Sequence, residues 1–155
     1  MKQLMLYIFM LFFGVNTASY AETTEEKLNI TVYKSPTCGC CSKWVDHLTE
    51  NDFEVQTHDT QNMDKVKQMA GITPELSSCH TAMIDGYVVE GHVPAADIKR
   101  LLKERPDIKG LTAAGMPMGS PGMEMPDGRK DEYQVLSIGK DGKTSVFAEH
   151  GGENE

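Results

Sequence analysis

Positive charge is scarce in this 155-residue chain: 15 Lys and Arg stand against 23 Asp and Glu, a formal net charge of −8. A nucleic-acid binder needs a basic face to displace counterions from phosphates, so that class is excluded. Long apolar runs are missing after residue 15, so nothing in the body of the chain is expected to span a bilayer. Internal repeats are absent. Cysteine is sparse as well, with four residues in the whole chain, whereas small domains stapled by disulfides carry many more per residue.

The one apolar run that is present comes first. Leu4 to Val15 gives twelve residues behind the single charge of Lys2, and Ser19 and Ala21 place small side chains at −3 and −1 of a cut after Ala21. This is the layout of a secretory signal peptide over residues 1–21, too short for a membrane span. No cysteine follows the cut, which argues against a lipid anchor. Removing Lys2 with the leader leaves 134 residues and a net charge of −9, a soluble exported domain over 22–155 with its core at about 28–149.

Leu28 to Tyr33 alternates apolar and polar residues and predicts a first strand. Pro36 and Gly39 break it, and from Cys40 the residues Cys41, Trp44, Val45 and Leu48 recur at helical spacing. Phe53 to His58 predicts a second strand, and Val66, Met69 and Ala70 a short helix closed by Gly71. Thr81–Ile84 and Tyr87–Glu90 flank Asp85-Gly86, a type I′ hairpin signal. Pro94 opens a helix with Ile98, Leu101 and Leu102 inward. Residues 105–132 change character, with recurrent Gly and Pro, and Met116–Pro126, within a loop rich in Met, Gly and Pro over 115–126, has no helical or strand period and reads as an ordered loop or a flexible flap. Tyr133–Ile138 and Thr144–Glu149 predict a C-terminal hairpin, and the last five residues read as disordered.

Strand, helix, strand, helix, hairpin, helix is the connectivity of a thioredoxin-like α/β domain, a mixed sheet flanked by helices. In that fold a loop before the hairpin faces the start of the first helix. Cys79 and His80 occupy the loop here, and Cys38, Cys40 and Cys41 the helix start. The analogy therefore brings together four cysteines that the chain separates by about forty residues.

An even number of cysteines in an exported chain ordinarily means structural disulfides. Three within four residues fight that reading, because bonding the neighbours Cys40 and Cys41 strains the backbone. A catalytic dithiol of Cys38 and Cys41, as in a thiol–disulfide oxidoreductase, is the enzyme alternative, but Cys40 and Cys79 then compete for every mixed disulfide. Four converging thiolates make a soft metal site instead. Zinc requires four sulfurs tetrahedrally around one ion, which adjacent cysteines serve awkwardly. Iron–sulfur clusters are built in the cytosol. Cu(I) accepts two or three thiolates, and bridging thiolates hold several ions, so multinuclear Cu(I) is the expectation. His80, next to Cys79, and His92, at a strand-to-helix junction, are further candidate ligands. So are Met116, Met118, Met123 and Met125, soft thioethers with no core period. His47 is expected to be solvated, and His58 and His150 carry no signal.

Thr37-Cys-Gly-Cys-Cys41, Ser78-Cys-His80, Glu90-Gly-His-Val-Pro94 and Gly115-Met-Pro-Met-Gly-Ser-Pro-Gly-Met-Glu124 together resemble the periplasmic CopG-type copper-resistance proteins, a family long described only as a metal-binding domain of unknown function. The likeness covers nearly the whole mature chain. It implies a thioredoxin-like fold, copper handling in the bacterial envelope and metal ligation by Cys38, Cys40, Cys41 and Cys79. The partners it suggests are copper ions and a copper efflux pump, copper chaperone or copper oxidase. It leaves open whether copper is stored, passed on or changed in oxidation state.

Overall fold

The computed structural model describes residues 27–151. The expected signal peptide at 1–21, the charged leader up to residue 26 and residues 152–155 lie outside that range. Gly151, within the tail expected to be disordered, packs on the backbone of Asp131.

Among the described residues the strands are β1 (Leu28–Lys34), β2 (Phe53–Asp59), β3 (Thr81–Ile84), β4 (Tyr87–Gly91), β5 (Gly110–Ala113), β6 (Tyr133–Ile138) and β7 (Thr144–His150). The helices are α1 (Gly39–Glu50), α2 (Met63–Ala70) and α3 (Ala95–Glu104), with a single 3₁₀ turn at Pro74–Leu76. All seven strands join one mixed sheet in the order β2-β1-β3-β4-β5-β6-β7. The β1–β2 and β4–β5 pairs are parallel, each closed by a helical crossover, and the other four are antiparallel.

Period-two alternation divides the core between the two faces. Ile30, Val32, Ala82 and Val89 join α1 through Trp44 and Leu48, and α3 through Ile98, Leu101 and Leu102, in one cluster. Val88, one residue from Val89, joins Ala70, Ile72 and Ile138 beneath α2 on the other side. The β3–β4 turn has positive φ at both Asp85 and Gly86, the type I′ signature read from the sequence.

Residues 105–132 are not wholly irregular, as the sequence had suggested. Gly110-Leu-Thr-Ala113 is a strand with every residue buried between β4 and β6. Its four residues are flanked on both sides by polar and glycine-rich chain, so no alternation betrays it. Gly110 is required there, because a Cβ would overlap the backbone of Val88. His47 is not simply solvated either. Its Nε2 accepts the Ala95 N–H at 3.1 Å and so caps α3, whose own N-cap, Pro94, offers no side-chain acceptor.

Candidate metal centre

Cys38 ends the turn after β1 in extended conformation and is the N-cap of α1. The first N–H groups of the helix have no partners inside it, and the positive end of its dipole favours thiolate at this point. One turn holds three cysteines in different settings: Cys38 and Cys40 are half-buried, while Cys41 faces the core with Trp44 and Leu48 and is fully buried. Cys38 and Cys41 are joined as a disulfide across 5.4 Å between Cα atoms, and Cys40 and Cys79 are free.

The loop before β3 brings Cys79 to this helix start. Its Sγ lies 3.9 Å from that of Cys40, which is itself 3.4 Å from that of Cys38. All four sulfurs fall within 4.8 Å of one another. The convergence expected from the loop's position in the chain is therefore present.

Cys79 is held from behind by a charged network that the sequence reading missed. Glu90 on β4, fully buried, accepts the Ser78 N–H at 2.7 Å and the Thr81 hydroxyl at 2.6 Å. Lys67 from α2 pairs with the same carboxylate at 2.5 Å and also donates to Thr81. The available signal was a lone acidic residue on the inward face of an otherwise apolar strand. A buried carboxylate demands a cation and several donors, and α2 carries one lysine on its inner face.

Both candidate histidines are fully buried and converge on the same thiol. The Cys79 sulfur is 3.2 Å from His80 Nδ1 and 3.1 Å from His92 Nε2. His92 Nδ1 faces the Pro121 carbonyl at 2.8 Å, and a carbonyl only accepts, so Nδ1 carries the proton and Nε2 turns its lone pair to Cys79. His80 lies against Trp44 with ring centroids 4.3 Å apart, and Trp44 is fixed by donating from Nε1 to Val93 O at 2.9 Å.

Two solved structures of copper resistance protein CopG, Form 2 and Form 1, match the chain at 48% and 50% identity. They cover 81% and 82% of this chain and 100% of their own, with TM-scores of 0.77 and 0.76. The chain belongs to the CopG copper-resistance family. A family model described as a protein of unknown function, DUF411, matches residues 76–123. No curated protein matches the chain.

In this chain residues 115–126 form no helix or strand, and their backbone meets the first turns of α1 and the segment before β3. Pro121 O accepts a hydrogen bond from His92 Nδ1–H, and the next residue, Gly122, rests on the first turns of α1. Gly115 N–H donates to Ser77 O at 3.0 Å, and Ser78 Oγ donates to Gly115 O, tying the loop to the Cys79 segment. Met118, Met123 and Met125 are half-buried, and Met116 is exposed. Gly122 has φ +86°, and a Cβ there would stand 2.7 Å from Cys40 O and 2.9 Å from Trp44 N. Gly122→Ala is therefore expected to cost about 1–3 kcal/mol. Lifting the loop off α1 should also speed Cys40 modification by a thiol reagent, measured against wild type.

Titration of the buried groups sets a stability window. Burial depresses the imidazoles of His47, His80 and His92 below their ordinary 6.5. For His80, the neighbouring His92 and Lys67 charges push the same way. Against burial, the hydrogen bond to Pro121 O and then the Glu124 carboxylate pull His92 upward, and the Glu124 and Glu50 carboxylates pull His47 upward. The unfolded chain thus binds protons first. The stability these groups contribute is intact above 6.5 and is lost as pH falls through the lowered values. Burial, reinforced by Cys40, raises the Cys79 thiol from 9.0 to about 12. Its contribution is intact below 9.0 and lost as pH climbs toward 12. Thermal melts of the metal-free protein should peak near neutral pH and fall at about pH 5 and about pH 10.

Proposed function

We propose that this protein is a periplasmic copper-binding protein of copper resistance, holding several Cu(I) ions in a thiolate cluster of Cys38, Cys40, Cys41 and Cys79. The convergence of four sulfurs within 4.8 Å carries this reading. Adjacent Cys40 and Cys41 reach different ions, and bridging sulfurs link them. The fold is read as thioredoxin-like, supported by the β2-β1-β3-β4 order with α1 and its cysteines between β1 and β2. Met116, Met118, Met123 and Met125 capture or hand on copper at the rim, to an efflux pump, chaperone or copper oxidase of the envelope.

A redox role is favoured by one observation, the bond between Cys38 and Cys41. Two thiols that close into a disulfide release two protons and two electrons, which reduce two Cu(II) to two Cu(I). A reduced dithiol from another protein reopens the bond. In the second reading the chain is a thiol–disulfide oxidoreductase that uses the same pair without copper.

Native mass spectrometry of fully reduced protein titrated with Cu(I) tests the cluster; more than one ion per chain supports it, and none removes it. Export is tested separately. The product recovered from the periplasm should begin at Glu22, and a membrane-bound product beginning at Met1 would reject export by cleavage.

A further inference from the structure

The two margins of the sheet are finished differently. At the β7 margin, Arg100 of α3 donates to Phe147 O at 2.5 Å, and the register with β6 shifts at Val135/Leu136. Such an irregularity twists an edge out of reach of a foreign strand. At the opposite margin β2 keeps an unbroken seven-residue register with β1. Phe53–Asp59 holds no proline and no lysine, the residues that usually guard an edge. No described side chain or loop bonds the outward backbone groups of β2.

Apolar surface lies beside this open edge. Phe53 is the one β2 side chain fully in the core, and Val55 packs against the core only in part. Val45 on α1 is half-buried too. His47 turns toward α3 to accept the Ala95 N–H. Val45, about 200° from it around the helix, therefore faces away from α3, on the side where α1 packs over β2. We propose that β2 pairs antiparallel with β2 of a second copy, about a two-fold axis at Gln56, joining two sheets into one dimer.

The strand complements itself in that register. Gln56 lies opposite Gln56, Val55 opposite Thr57, Glu54 opposite His58 and Phe53 opposite Asp59, so all seven residues pair. Glu54, Gln56 and His58 are exposed and share one face. Each Glu54 carboxylate thus meets the imidazole N–H of a His58 whose ring rests on Tyr33, centroids 5.2 Å apart. Symmetry makes this contact twice. Sliding by two residues shortens the ladder from seven residues to five and sets Gln56 against Glu54 or His58 instead. Sliding by one presents the wrong face. On the other face α1 covers β1 and β2, so the two α1 helices stand about 10 Å apart, the spacing of packed helices, with Val45 and Val55 covered between them. Because β1 and β2 are parallel and the cysteines follow β1, the junction leaves the two cysteine clusters open at opposite ends.

Sedimentation equilibrium of the exported chain tests the pairing. A chelator and a thiol reductant are present, so that copies bridged by metal or by disulfides do not count. A concentration-dependent equilibrium between monomer and dimer is expected. Glu54→Lys should raise the dimer dissociation constant about tenfold, since one substitution spoils both symmetric contacts. The swap Glu54→His with His58→Glu rebuilds both contacts and should recover most of the loss. Both side chains are exposed, and unchanged circular dichroism shows that the variants fold. Amides of β2 should exchange with deuterium more slowly as concentration rises, while those of β7 should not change. An open series of larger oligomers, as β2 pairing with β7 would give, overturns the proposal. So does a dimer indifferent to Glu54→Lys, or a swap that recovers nothing. A chain that stays monomeric up to its solubility limit overturns it as well, and leaves the edge to a strand of another protein.

Discussion

Replacing Glu90 with alanine is expected to lower the unfolding free energy by about 3–5 kcal/mol, the range for removing one partner of a buried ion pair. Glu90 is wholly buried and its Lys67 partner nearly so. Without the carboxylate, the ammonium keeps only the Thr81 hydroxyl, and the Ser78 N–H loses its acceptor. Two consequences can be separated. The double variant Lys67→Met, Glu90→Leu removes the charge with its partner, so denaturation by urea should return most of the way to wild type. Copper binding should not return with it, because Ser78 adjoins Cys79 and its amide still lacks the acceptor that sets the loop. A Glu90→Ala protein that melts like wild type would show that the pair contributes nothing to stability. A double variant that recovers full copper affinity would show that it does not position Cys79.

The second large effect is on copper itself. Cys40→Ser should reduce the number of Cu(I) ions held by the reduced protein by at least one, because a hydroxyl is a hard, poor ligand for Cu(I). Stability should change little, since Cys40 is half-buried and lies outside the apolar core. The variant separates the two functional readings. A dithiol enzyme uses Cys38 and Cys41 and has no need of Cys40, so unchanged stoichiometry with retained disulfide exchange would favour that reading. Cys41→Ser is the poorer experiment, since Cys41 is fully buried and its loss disturbs packing and ligation together.

Local periodicity made β1, α1, β2, α3 and both hairpins legible in the sequence, whereas α2 was read from Val66, Met69 and Ala70, of which only Ala70 is buried and Met69 is exposed. Cys41, Trp44 and Leu48 marked the inner face of α1 because a helix brings those spacings together, and all three are buried. β5 was not legible. A strand buried on both faces shows no alternation, and four residues are too few to stand out beside glycine and proline. The approach of Cys79 to the helix start followed only from the analogy with a thioredoxin-like fold, in which the loop before the hairpin faces the start of the first helix. The Lys67–Glu90 pair did not follow, because it joins an α2 residue to a central strand through a contact that no spacing encodes. His47 was misread for a similar reason: its role is set by the start of α3, which only the folded sheet brings within reach.

The methionine-rich loop carries its own scaffold. Gly119 N–H donates to Met123 O, Asp131 N–H to Met118 O, Met118 N–H to Asp131 Oδ2, and Gly122 N–H to Glu124 Oε1. Methionines on a slack tether would have to be immobilised each time they met an ion, at an entropic cost of about 1–2 kcal/mol for every backbone residue fixed. Here folding has already met that cost. Under the proposed function, a soft cation arriving here would encounter thioethers on a frame set in advance, so that preorganisation would let weak individual donors act together. The same fastening should make the segment a poor protease substrate despite its glycines and prolines, and its amides should exchange with deuterium more slowly than a surface loop of that composition normally would.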